Sequence, residues 1–248
     1  MFIQLLLGVA LASSWFAGII ASWTGTSRRP PSTPFLTLAA FCVIGIISAV
    51  QLAIAPALMP MLMREATLVH SGEVWRLATS LLVQDGSWSG AAFNLAGLAA
   101  IGVVTERTLG RLHWLAVAAI SVASAQLLAL RWQPVGAGNS ILNFGLAGGV
   151  CAASLARSRR ALVPAAMAST CFVLLLAARD IHGVAGVTGM VVESLLRFAF
   201  VRDEAWCQAV NRERRAAPAH DSLPDTNLRY APARDCSTQP PRLSALPI

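Results

Sequence analysis

Seven stretches of this chain are apolar for about the length that crosses a lipid bilayer: 2–23, 35–58, 88–104, 112–130, 138–156, 161–178 and 183–201. Inside a hydrocarbon layer no water is present to satisfy backbone N–H and C=O groups, so each stretch must pair its own, which means a helix. The expected fold is therefore all-α, a polytopic bundle of transmembrane helices. Composition agrees, since 56% of the 248 residues are hydrophobic and only 12% are charged, against about 25% charged in a soluble domain. A soluble helical core would need polar faces that these runs lack. The first run starts at Met1-Phe2-Ile3-Gln4 without a charged leader and is long for a signal peptide. It is expected to be a retained helix, with a cleaved signal as the alternative because Ala10, Ala12 and Ser13 are small.

A net charge of +7 would suggest nucleic acid in a soluble protein. Here the basic residues occupy alternate short loops instead: Arg28 and Arg29, then Arg107 and Arg111, then Arg157, Arg159 and Arg160, then Arg202, Arg212, Arg214 and Arg215. In the intervening loops Arg64, Glu65, Glu73, Arg76, Asp85, Arg131, Arg179 and Asp180 nearly cancel. By the positive-inside rule the amino terminus is expected outside and the carboxyl terminus in the cytoplasm. The partner is then the lipid bilayer and not a nucleic acid. Cys42, Cys151, Cys171, Cys207 and Cys236 have neither metal-ligand spacing nor a disulfide framework. Residues 1–34 are expected to form a first helix and a basic loop, 35–201 a six-helix membrane domain, and 202–248 a polar, disordered tail, helical at first around Trp206 to Arg215.

Polar groups are expensive within a bilayer, so the few inside the runs ask for a reason. Asn94 lies in the third run, Ser140 and Asn143 open the fifth, and His182 stands at the start of the seventh. On the expected topology Asn94, Ser140 and His182 share one depth near the outer face, where three helices can bring them into one cavity. The Gly136-Ala137-Gly138-Asn139-Ser140 stretch permits an irregular helix start with backbone N–H groups left free to hold an oxyanion. A serine nucleophile needs a base, and His182 is the histidine inside a span. The plainer reading is packing: Gly145-xxx-Gly149 is a small-xxx-small helix contact, and an isolated histidine at a helix start is often interfacial.

These residues resemble the rhomboid family of intramembrane serine proteases. Gly138-Asn139-Ser140-Ile141-Leu142-Asn143-Phe144-Gly145-Leu146 is similar to the family's Gly-x-Ser-Gly helix start with its following aromatic-Gly-Leu step. The resemblance puts Ser140 at the nucleophile and Phe144 at the aromatic that packs on the catalytic histidine. His182-Gly183-Val184-Ala185, with Gly189 four residues on, resembles the family's Ala-His-x-x-Gly-x-x-x-Gly, in which the Ala185 and Gly189 positions let the last helix approach the serine helix. Trp75-Arg76, Phe93-Asn94-Leu95 and Glu106 with Gly110 resemble three further family motifs in the same order. The resemblance covers about residues 72 to 200 and implies a six-helix rhomboid core preceded by one extra helix.

It also implies a mechanism. Ser140 and His182 would form a dyad, with Asn94 and the Ser140 N–H holding the oxyanion, Gly138 shaping the loop, and Asp180 orienting the histidine weakly at most. Substrates would be transmembrane segments, with no metal or cofactor, in a multi-pass protein of a bacterial inner membrane. Four positions depart from the family pattern: Gly90 and Asp85 stand where it has histidines, Ile141 where it has the glycine after the nucleophile, and Ile181 where it has alanine. Gly90 and Ile141 speak for a rival reading, an inactive rhomboid-like protein that binds transmembrane clients, while retention of both Ser140 and His182 speaks for the enzyme. A transporter would call for ionisable residues along several spans or two related halves, and the sequence has neither.

Overall fold

In a computed structural model the chain is described over residues 2–24 and 33–216, with side chains to residue 199. The long helices are α1 (Phe2–Thr24), α2 (Phe35–Ala53), α3 (Ser87–Leu109), α4 (Arg111–Trp132), α5 (Ser140–Arg157), α6 (Leu162–Ala177) and α7 (Ile181–Ala216). Six helices, α1 to α6, are long and apolar enough to cross a membrane. The expected seventh run, 183–201, falls in the first part of α7, which is not among the six and carries Glu193 and Arg197. That helix runs on to Ala216, through the stretch expected to open the polar tail, while 217–248 and the Arg28–Arg29 loop lie outside the described residues. The residues divide into two compact units, Met1–Leu196 and Arg197–Ile248.

Burial is arranged as a lipid solvent demands. Val43 and Ile46 of α2, Ile120 of α4, Val163 and Val173 of α6, and Val191 and Leu195 of α7 are exposed. Their apolar surface needs no cover from the protein when acyl chains surround it. Helix α5 is the opposite case. Every residue from Ile141 to Ser154 is buried, which makes it the central helix of the bundle. Small residues on α5 let its neighbours come close: a Cβ on Gly148 would stand 2.0 Å from the carbonyl oxygen of Gly186, and one on Gly189 would stand 2.0 Å from that of Gly145. The α5–α7 contact therefore depends on glycine from both sides, with Ala185 fully buried beside it.

Helix α1 packs against α5 and α6 in the same unit. Ser14 Oγ donates to the Ala10 carbonyl at 2.7 Å, and Cys151 Sγ donates to Ser14 Oγ at 3.2 Å. Among the described residues Cys42, Cys151 and Cys171 are free thiols. At the far end from Ser140, the buried Glu106 of α3 accepts from the N–H groups of Leu36 at 3.1 Å and Thr37 at 2.8 Å. A carboxylate so placed satisfies the open donors at the start of α2 and complements its dipole.

Between α2 and α3 the chain is a long connection of short helical turns, held by Arg76. Its Nε donates to Glu73 at 2.6 Å and its Nη1 to the carbonyls of Pro60 at 2.8 Å and Met63 at 3.0 Å. Strand β1 (Arg64–Glu65) of this connection pairs antiparallel with β2 (Val135–Gly136), just ahead of α5. That small ribbon ties the connection to the loop in front of Ser140.

Candidate active site

Three helices begin at the same end of the bundle, and each brings one expected residue: Asn94 in the first turns of α3, Ser140 as the first residue of α5, and His182 as the second of α7. All three line one cavity of about 370 Å³, together with Ile141, Ile181, Gly138, Arg64 and Asp85. The shared depth expected from the runs is thus realised as a shared space.

Within it Ser140 Oγ and His182 Nε2 are 2.8 Å apart. On the other side of the ring, His182 Nδ1 lies 2.6 Å from Asp180 Oδ1. An ionised carboxylate can only accept, so Nδ1 carries the proton and Nε2 is left to accept from the Ser140 hydroxyl. The same Oδ1 also accepts the His182 backbone N–H at 2.8 Å. Asp180 is therefore the N-cap of α7 and the partner of its second side chain at once. Sequence reasoning allowed Asp180 at most a weak orienting effect and took the site as a dyad without an acidic member. In the structure the carboxylate stands at hydrogen-bond distance from the ring. Arg179 takes a left-handed conformation with φ of 57°, which turns the chain so that the capping carboxylate meets the imidazole. Burial pushes the Asp180 carboxyl up, yet the hydrogen bonds and charge of His182, joined by a hydrogen bond from Gln133, outweigh it and hold the group below the usual carboxylate value.

The Phe144 ring packs edge-on against His182, with centroids 4.9 Å apart, and also meets Phe172 at 6.2 Å. It packs between the imidazole and the Phe172 ring. Gly138 has φ of 116°, where a side chain is strained, and a Cβ there would press on the Asn94 amide nitrogen at 3.1 Å. Its N–H donates to the Ser80 carbonyl at 2.8 Å. The loop thus delivers Ser140 to the cavity with the N–H at the helix start lacking an intrahelical acceptor.

Asn94 faces the cavity through its amide, and Nδ2 donates to Gln84 Oε1 at 2.8 Å. One Nδ2–H remains for a ligand. The Asn94 carbonyl accepts from Asn143 Nδ2 at 2.8 Å and Asn139 Nδ2 at 3.2 Å. Gln84 in turn donates from Nε2 to Asn139 Oδ1 at 3.0 Å and to Ser48 Oγ at 3.3 Å, while its backbone N–H donates to Gln51 Oε1 at 3.0 Å. This buried net of amides fixes the orientation of Asn94. A Cβ on Gly90, where the family pattern has a histidine, would meet nothing within 4 Å. Ile141 is buried in the core and forms a wall of the cavity.

Five residues of this end escaped the sequence reading: Gln51, Gln84, Gln126, Arg64 and the full part of Asp180. Gln51 and Gln126 are polar residues inside apolar runs, so the signal that marked Asn94 was present for them too. Gln84 and Arg64 lie in the connection, where hydropathy carries no information about burial. Chemically, the arrangement is a hydroxyl hydrogen-bonded to a neutral imidazole, an acid behind it, and amide donors beside it, all lining one cavity of about 370 Å³.

Compared with models of known protein families, residues 71–200, a little over half of the chain, match the Rhomboid domain. No curated protein matches the chain. The matched segment contains Asn94, Gly138, Ser140, Phe144, Asp180, His182, Ala185 and Gly189.

Proposed function

The chain belongs to the rhomboid family, and from that premise we propose that it is an intramembrane serine endopeptidase that cuts transmembrane segments of other membrane proteins. The observation that carries the proposal is the run of contacts from Ser140 Oγ to His182 Nε2 at 2.8 Å and from His182 Nδ1 to Asp180 Oδ1 at 2.6 Å. In this reading Ser140 attacks the scissile carbonyl as its proton passes to Nε2. The imidazolium that forms is stabilised by Asp180, which keeps its own charge. Collapse of the tetrahedral intermediate expels the amine, which takes the proton from Nε2. Water then enters and is activated by the same nitrogen, releasing the second product and restoring Ser140.

The oxyanion is held by the Ser140 N–H and the free Asn94 amide hydrogen, kept in place by Gln84. Substrates must present an unwound stretch, since an intact helix hides its amides within itself. Membrane insertion follows the positive-inside reading, with the cavity facing the outer side, the carboxyl terminus in the cytoplasm, and a bacterial inner membrane as the location. Residues 35–201 form the catalytic six-helix domain, and 1–34 the added first helix and loop.

One feature favours the second reading, an inactive client-binding protein: the vacant position at Gly90, which takes away a side-chain donor. Losing one such donor costs about 10²–10³ in rate, which slows an enzyme without abolishing it. Fluorophosphonate labelling of the detergent-purified protein decides between them. The hydrolase labels, and both Ser140→Ala and His182→Ala lose the label. A parent that neither labels nor cleaves a transmembrane reporter is the client-binding protein.

A further inference from the structure

We propose that Arg64 selects the substrate, its guanidinium receiving an Asp or Glu side chain on the unwound segment beside the bond that Ser140 attacks. The inference rests on the hydrolase reading above and names the substrate class for that site.

Arg64 is only 3% exposed, yet it lines the same cavity as Ser140 and His182. Its place is set by the ribbon, where Arg64 pairs with Gly136, four residues before the serine. Its head group lies over Gly136, where a Cβ would stand 2.8 Å from Nη2 and push the guanidinium aside. A guanidinium has five N–H donors. Nη1 donates to Gln126 Oε1, and Nη2 donates to the Gln133 carbonyl at 2.8 Å. Nε is buried and has no acceptor.

Nor does a counter-charge touch it. Among the described residues Glu73 and Glu106 pair with other arginines, and Glu193 and Asp180 lie against histidines, so none of the four stands at ion-pair distance from Arg64. Asp85, exposed on the cavity wall, attracts Arg64 without reaching ion-pair distance. A cation so buried without an anion in contact is costly unless something supplies one. The fixed fork of donors suits a carboxylate, which can take two of them side by side. The cavity is roughly 9 Å across for its volume, the length of two to three extended residues. A side chain a residue or two from the cut is therefore within reach of the guanidinium.

The test uses the full-length protein in proteoliposomes with a set of transmembrane reporters. Each position within about four residues of the cut carries Ala, Asn, Asp or Lys in turn. At one or two positions Asp is expected to raise kcat/KM about 10- to 100-fold over Asn, the margin of a hydrogen bond to a charged group, with Lys the poorest. Arg64→Met should erase the Asp-over-Asn margin while fluorophosphonate still labels Ser140. Asp85→Asn, an exposed change, should widen the margin by removing a competitor for the guanidinium, and this arm with the parent scan decides the matter if Arg64→Met does not fold. Labelling with cleavage that is blind to acidic residues at every position overturns this proposal alone, as does an Arg64→Met variant that keeps the margin. A parent that neither labels nor cleaves any reporter overturns the hydrolase reading, and this one with it.

Discussion

A single oxygen of Asp180 accepts from two groups of His182, the backbone N–H at 2.8 Å and the ring Nδ1 at 2.6 Å. The start of α7 and the tautomer of its imidazole are thus set together. Substituting Asn keeps an acceptor for the cap but can also donate to Nδ1, which favours the wrong tautomer. Asp180→Asn is expected to lower kcat by about 10²–10⁴ with little change in KM. Asp180→Ala should lose a further ~1 kcal/mol of stability with the cap. Reporter kinetics and thermal unfolding of the two variants in detergent separate these effects.

Acid should act on the same contact. The Asp180 carboxyl is held below its usual 3.8 in the folded protein. A group depressed in this way adds stability that is complete above its unfolded value and disappears as pH falls through the folded one. The difference in melting temperature between the parent and Asp180→Asn should therefore not shrink as pH falls from neutral to about 5, and should shrink only below about 4. A difference already closing near pH 6 would count against the assignment.

Asn94→Ala should cost about 10²–10³ in kcat, the effect of removing one oxyanion donor. Gln84→Leu leaves Asn94 in place but frees its amide from the 2.8 Å bond that aims it. A smaller loss in kcat, with KM unchanged, is expected. Equal and large effects on KM from both would point to substrate binding instead.

Bulk at the α5–α7 contact should be felt at once. Gly189→Ala places a methyl 2.0 Å from the Gly145 carbonyl oxygen, so the helices must separate. Overpacking of this kind costs about 1–3 kcal/mol. A lower melting temperature and weaker fluorophosphonate labelling should appear together, because the same separation pulls His182 from Ser140.

Glu106→Ala removes the cap of α2 at the opposite end. Losing the acceptor of two backbone N–H groups should cost about 1–2 kcal/mol. Turnover per labelled molecule should stay at the parent's value, which distinguishes a structural carboxylate from Asp180.

Much of this molecule is written along the chain, because a bilayer reads length and hydropathy locally. Runs of apolar residues specify helices without reference to anything distant, and six of the seven expected runs meet the criterion in full. The cost of burying Asn94, Ser140 and His182 marked them as well, and the spacing around Ser140 and His182 carried the family. What the chain order could not convey was contact. Ser140 and His182 are 42 residues apart, and they meet only because Gly148 and Gly189 let two helix backbones touch. Asp180, Gln84 and Arg64 lie in connections, where no periodicity tells a solvated side chain from a buried one. Their parts were decided by the turn at Arg179, the amide net and the ribbon. Hydropathy is a property of each residue, whereas a hydrogen bond between loops belongs to the packed whole.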